Sequence, residues 1–180
     1  MSYKYKISLI GPSASGKSAI ANRLVKDKFL DRYDPTIEEV HPKNMTVEGK
    51  EIHLDIYDTA GTAAISNMLM MYAKDSDGFL YIASMIRETD LSELLTEFIP
   101  TVKEVNNKFI AVLCANKCDL KDDIVVNDEE LKEFCDEQKI KYFKTSAKTG
   151  ENIVEAFESL IKDLLAREKP KKKAGPCMLL

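Results

Sequence analysis

Eight residues near the N-terminus carry the first chemical signal. Gly11-Pro12-Ser13-Ala14-Ser15-Gly16-Lys17-Ser18 has the form G-x-x-x-x-G-K-S, which makes a phosphate-binding loop when it follows a strand and opens a helix. Successive N–H groups in such a turn, with a helix N-terminus behind them, form a concave anion site. Lys17 would add a point charge for the outer phosphates, and Ser18 a hydroxyl oxygen for Mg²⁺. An ordinary Gly/Ser-rich turn is the bland alternative, and the strand–loop–helix context argues against it. Alone, the loop points only to a nucleoside triphosphate. An ATPase, a small-molecule kinase and a GTPase would all fit.

Three further segments choose between these. Asn116-Lys117-Cys118-Asp119 follows a dense apolar run, Thr145-Ser146-Ala147-Lys148 follows a short one, and Asp58-Thr59-Ala60-Gly61 ends a third. The Asp119 carboxylate can accept two hydrogen bonds, from the N1–H and 2-amino edge of guanine. Adenine lacks that donor pair, so a site built this way rejects it. The aliphatic stems of Lys117 and Lys148 can cover the faces of a purine.

The elements that must hold these segments are legible from periodicity. Strands are expected at Lys4–Ile10, Val40–Val47, Glu51–Tyr57, Gly78–Ser84, Lys108–Ala115 and Lys141–Thr145. Glu48-Gly49-Lys50 reads as a hairpin turn, and Pro42 restricts its strand to a sheet edge. Helical patterns cover Lys17 to about Lys28, then 66–75, 91–106, 128–138 and Asn152 to about Glu168, where Asn152 and Glu155 resemble a capping box. Pro100 falls inside the third pattern and predicts a kink or break near Glu97–Pro100. Alternating strands and helices indicate an α/β domain with a mainly parallel sheet, and ligands in such sheets bind at the carboxyl ends of the strands.

With G-P-S-A-S-G-K-S, Y-D-P-T-I-E-E, D-T-A-G, N-K-C-D and T-S-A-K in order and at family spacing, residues 4 to 168 resemble the Ras-like small GTPases. The resemblance implies a P-loop NTPase three-layer sandwich with a six-stranded, mostly parallel sheet, one antiparallel edge strand and about five helices. It implies GTP/GDP and Mg²⁺ as ligands. Ser13, Ala14, Ser15, Gly16, Lys17, Ser18 and Ala19 would cradle the phosphates. Ser18 and Thr36 would ligate Mg²⁺, with Asp58 reaching it through a water. Phe29, Asn116, Lys117, Asp119, Ser146, Ala147 and Lys148 would enclose the guanine, with plain core as the lesser reading of Phe29. Tyr33 through Glu39 would be the first switch and effector surface. Residues 60–74 would be the second switch, met by an exchange factor and a GTPase-activating protein. Thr36 and Gly61 would hold both switches on the γ-phosphate, and hydrolysis would release them. With Lys17, Thr36 and Gly61, Thr62 stands in the catalytic set.

The departures from Ras cluster at those catalytic positions. Thr62 stands where Ras has the glutamine that orients the attacking water, and Rap proteins also carry threonine there. Ser13 and Ala14 occupy the positions of Ras's paired loop glycines, and a side chain at the first obstructs an arginine finger. Arg32 is basic as in Rap, where Ras is acidic. Glu39 replaces the usual aspartate. Ala63, Ala64, Ile65, Leu69 and Met70 make the second switch unusually apolar, which favours a protein partner. The expected enzyme is a GTP hydrolase of the Ras/Rap subfamily, nearer Rap at residue 62, with slow turnover. The alternative is a GTP-loaded interaction module that scarcely hydrolyses.

Composition sets the frame. The chain has 180 residues, 44% apolar and 31% charged, with a net charge of −4. That fits one globular domain. The charge is uneven: residues 167–180 carry +4, leaving −8 for the rest. An acidic body argues against nucleic acid as a partner. No apolar run is long enough to span a membrane, and no secretory leader is expected. Cys114, Cys118 and Cys135 read as reduced thiols. Lys169-Pro-Lys-Lys-Lys173 and Cys177-Met-Leu-Leu180 form a polybasic, C-a-a-X tail over 169–180, detached from the 1–168 domain. Its terminal leucine points to geranylgeranylation of Cys177, with the lysines supplying the second membrane signal. A monomer on the cytoplasmic face of a membrane is expected, cytosolic if unprenylated.

Overall fold

The structure is a computed structural model and describes residues 2–29, 38–59 and 66–168. The chain runs β1 (Ser2–Ile10), α1 (Lys17–Lys26), β2 (Glu38–Val47), β3 (Lys50–Thr59), α2 (Ser66–Asp75), β4 (Gly78–Ser84), α3 (residues 89–105), β5 (Ala111–Asn116), α4 (Asp128–Gln138), β6 (Lys141–Lys144) and α5 (Ile153–Glu168). The six strands form one sheet in the order β2-β3-β1-β4-β5-β6. Only the β2–β3 pair is antiparallel. Glu48 (φ 50°) and Gly49 (φ 72°) close that hairpin, the two left-handed residues that match strand twist in a tight turn. Pro42 sits on the outer strand, where no further ladder needs its missing N–H.

The continuous apolar runs of β4 and β5 have a simple cause: every residue in both is buried, because helices cover both faces. On one face Ile7, Leu9 and Leu80 pack with Ile20 and Leu24 of α1 and Phe157, Leu160 and Leu164 of α5. On the other, Ile10, Phe79, Tyr81 and Leu113 pack with Ala73 of α2, Phe98 and Val102 of α3, and Leu131 of α4. This is the expected three-layer α/β sandwich, with five helices among the described residues.

Near Glu97–Pro100, where a kink or break is expected, the helix is irregular but not broken. A π turn over Leu94–Phe98 precedes Pro100, with the Ile99 N–H reaching back to the Leu94 carbonyl, and α-helix resumes over Ile99–Val105. The widened turn admits the proline while the helix continues. One local expectation needs correction: Asn152 does not cap α5. It lies at φ 54° and its side-chain amide donates to the Lys144 carbonyl at 2.7 Å. The capping box is at α4, where Asn127 and Glu130 bond each other's backbone N–H. Boundaries shift slightly elsewhere: β5 begins at Ala111 rather than Lys108, and α1 ends at Lys26.

Candidate functional site

The phosphate loop leaves β1 at the carboxyl edge of the sheet, and its glycines are there for contact. A Cβ on Gly11 would lie 2.1 Å from the Ile82 carbonyl oxygen of neighbouring β4. Gly16 has φ 107°, and a Cβ there would lie 2.1 Å from Asn116 Nδ2. Close approach and left-handed backbone thus both require glycine. Ala14 adopts φ 61° without that freedom. The loop carbonyls are held from several sides. Lys17 Nζ donates to the Gly11 and Pro12 carbonyls, each at 2.8 Å. Arg87 Nη1 donates to the Ser13 carbonyl at 2.5 Å, Lys117 Nζ to that of Ala14 at 2.9 Å, and Asn116 Nδ2 to that of Ser15 at 3.0 Å. Ser13 and Ala14 themselves are exposed, and Ala19 is half-buried at the start of α1.

Behind the loop lie a buried cation and a buried anion. Lys17 is 6% exposed. Burial pushes its ammonium down to about 8, against the pull of Asp58 and then Asp90. Asp58, 1% exposed, ends β3. Burial pushes its carboxyl up, while the Ser18 hydroxyl and the Lys17 charge favour ionisation. Both Asp58 oxygens are buried without a hydrogen bond of good geometry. A buried carboxylate so thinly satisfied is costly unless a cation completes it. Together with the Ser18 hydroxyl it is a hard-oxygen donor set, which fits Mg²⁺.

The segments after β5 and β6 are knitted into one platform. Asn116 is buried, and its Oδ1 accepts from the Ala147 N–H at 3.3 Å and the Thr145 hydroxyl at 3.4 Å. The Cys118 N–H donates to the Thr145 carbonyl at 3.1 Å. Ser146 is buried, and its Oγ accepts from the Thr149 N–H at 3.0 Å. Ala147 is buried, Lys148 exposed, and Asp119 half-buried. Lys117 has φ 66°, and burial pushes its ammonium down. Phe29 is half-buried and packs against the α1–α5 core.

A sequence profile of the Ras family matches residues 6–166. The chain belongs to the Ras family. Ras-like protein rasS of Dictyostelium discoideum is 35% identical over 164 residues, covering 90% of this chain and 84% of that one. Protein ras-1 of Neurospora crassa is 33% identical over 168 residues, covering 92% and 78%. Family members are guanine-nucleotide-binding switches that hydrolyse GTP, so this chain is a small GTPase.

Within that Ras-family frame, the structure brings together Ser13 through Ala19, Asp58, Asn116, Lys117, Asp119, Ser146, Ala147 and Lys148 at the carboxyl ends of the strands. Tyr33, Thr36, Gly61, Thr62 and Cys177 lie outside the described residues, as do most of the first switch, the start of the second and the whole tail. Two arginines were missed from sequence. Arg23 of α1 donates through Nε to the Ala147 carbonyl at 2.8 Å and through Nη2 to that of Lys148 at 2.5 Å, fixing the last loop. Arg87 holds the phosphate loop. Cys114, Cys118 and Cys135 are free thiols, and burial pushes Cys114 up to about 12 and Cys118 up to about 11.

Proposed function

We propose that this chain is a Ras/Rap-type GDP/GTP signalling switch with Mg²⁺-dependent, slow GTP hydrolysis. The reading rests above all on buried Lys17 and buried Asp58 at the phosphate loop, where Asp58 has little besides the Ser18 hydroxyl to satisfy it and a cation would complete it. Ser13 through Ala19 would hold the phosphates, with Lys17 as their point charge. Phe29 and the two platform loops would enclose the guanine, Asp119 reading its edge. Ser18, Asp58 and Thr36 would hold the magnesium ion, which supplies charge that bridges and neutralises phosphate oxygens. Thr36 and Gly61 would report the γ-phosphate to the switches. The effector surface is residues 33–39, and Val40 beside it is 46% exposed. The second switch over 60–74 would meet regulators; Met71, 53% exposed, supports that reading.

Slow turnover follows from Thr62 and Ser13. Threonine is too short to orient the water as glutamine does, and a serine side chain obstructs an incoming arginine. Thr62→Gln is expected to raise single-turnover GTP hydrolysis by roughly ten- to a hundredfold, the scale set by orienting a reactant. A wild type that already hydrolyses at the variant's rate contradicts this. The same two residues favour a second reading, a GTP-loaded interaction module. Hydrolysis that stays absent when cell extract is added would select it. Residue 62 and Arg32 place the chain nearer Rap in this reading. Residues 169–180 act as a separate tail, with prenylated Cys177 and Lys169–Lys173 holding a monomer at the cytoplasmic face of a membrane.

A further inference from the structure

Three successive carbonyls of the phosphate loop, those of Ser13, Ala14 and Ser15, are each held by a side chain from elsewhere: Arg87, Lys117 and Asn116. A trans peptide unit points its C=O and its N–H in opposite directions. Drawing each carbonyl toward its clamp therefore turns the following N–H, of Ala14, Ser15 and Gly16, away from it. The Ser15 N–H does face across the loop, 3.4 Å from the Pro12 carbonyl. Lys117 and Asn116 belong to the base-side platform. Arg87 belongs to no motif.

Arg87 is itself braced. Its Nε lies 3.2 Å from Asp90 Oδ1, and its Nη2 lies 3.8 Å from Glu93 Oε1. Asp90 is 0% exposed, and its other oxygen accepts the Ser84 N–H at 2.7 Å. A continuous polar chain thus runs from the end of β4 through Asp90 and Arg87 to the Ser13 carbonyl. It ends where the loop most needs holding, because the next residue, Ala14, is a non-glycine in the left-handed region.

The geometry points to Arg87 as a positioning residue of the nucleotide site: braced by Asp90, it fixes the Ser13–Ala14 peptide so that the Ala14 N–H serves a bound diphosphate, and so lengthens the lifetime of bound nucleotide. This rests on the nucleotide-site reading above. The role is one of positioning: the guanidinium acts through the backbone carbonyl of Ser13.

The test uses the full chain loaded with fluorescent GDP and Mg²⁺, then chased with excess unlabelled GDP. Arg87→Ala is expected to release GDP roughly tenfold faster, the scale of one charge-assisted hydrogen bond. It should also move the ³¹P resonance of the bound β-phosphate, a readout that general loosening of α3 would leave in place. Arg87→Lys keeps the charge but has a single nitrogen where Arg87 uses Nε toward Asp90 and Nη1 toward the Ser13 carbonyl, so release about threefold faster is expected, with a smaller ³¹P shift. An Arg87→Ala protein with wild-type release and an unmoved β-phosphate resonance overturns the inference while leaving the nucleotide site standing. If the alanine variant does not fold, wild-type release and an unmoved resonance in Arg87→Lys overturn it equally. A wild type that takes up no GDP overturns the site reading itself.

Discussion

Asp119→Asn is expected to lower GDP affinity by roughly 10³–10⁵ while raising affinity for xanthosine diphosphate above that of wild type, as read by competition against a fluorescent nucleotide. A site that hydrogen-bonds a polar edge rejects a mismatched edge on this scale, because a buried group is left without its partner. The argument is donor against acceptor. Guanine presents two donors, N1–H and the 2-amino group, and a carboxylate accepts both. Asparagine offers one acceptor and one donor, so its amide N–H would face the amino group of guanine. Xanthine has an oxygen at that position and restores the match. Asp119 follows the buried Asn116 on a platform tied to the Thr145–Lys148 loop, and asparagine is nearly isosteric, so the fold is expected to stand. Unchanged GDP affinity in the variant would mean that Asp119 does not read the base.

Lys17→Ala is expected to weaken GDP binding by about 10²–10⁴, the loss of one or two charge-assisted hydrogen bonds to phosphate. The buried ammonium also predicts a pH dependence. Burial holds Lys17 down to about 8. A bound diphosphate would raise that value, because its negative charge favours the protonated form. Binding is therefore fully supported below pH 8 and falls as pH rises through 8, by about tenfold per unit until the bound-state value is reached. In Lys17→Ala that alkaline fall should vanish. Titration calorimetry of GDP from pH 7 to about 9, below the range in which the guanine N1–H itself ionises, checks both points. A wild-type affinity flat across that range would contradict the assignment of Lys17 to the phosphates.

Much of this site was readable because its chemistry is written in residue types at short spacing. The strand, loop and helix around Gly11–Ser18 follow from an apolar run, two glycines and a helical pattern. The bounds of α2, β4 and α4 matched because apolar periodicity marks them. The Asn152 cap failed because the same residue type also favours left-handed backbone, and a carbonyl of β6 competed for its amide. The π turn before Pro100 depends on where carbonyls can move, which residue patterns do not encode. Arg23 and Arg87 escaped for a related reason. Their partners are backbone carbonyls 124 and 74 residues away in sequence, and a carbonyl has no residue-type signature.

In the proposed reading, the departures at Ser13 and Thr62 would set the rate of the cycle, whereas Lys17, Asp58 and the Asn116–Asp119 segment would set what is bound at all. The central claim is the second. The most direct test is to denature the freshly purified full chain and identify the released nucleotide by chromatography. GDP or GTP at about one per chain is the predicted result. Adenine nucleotide in its place would contradict the account.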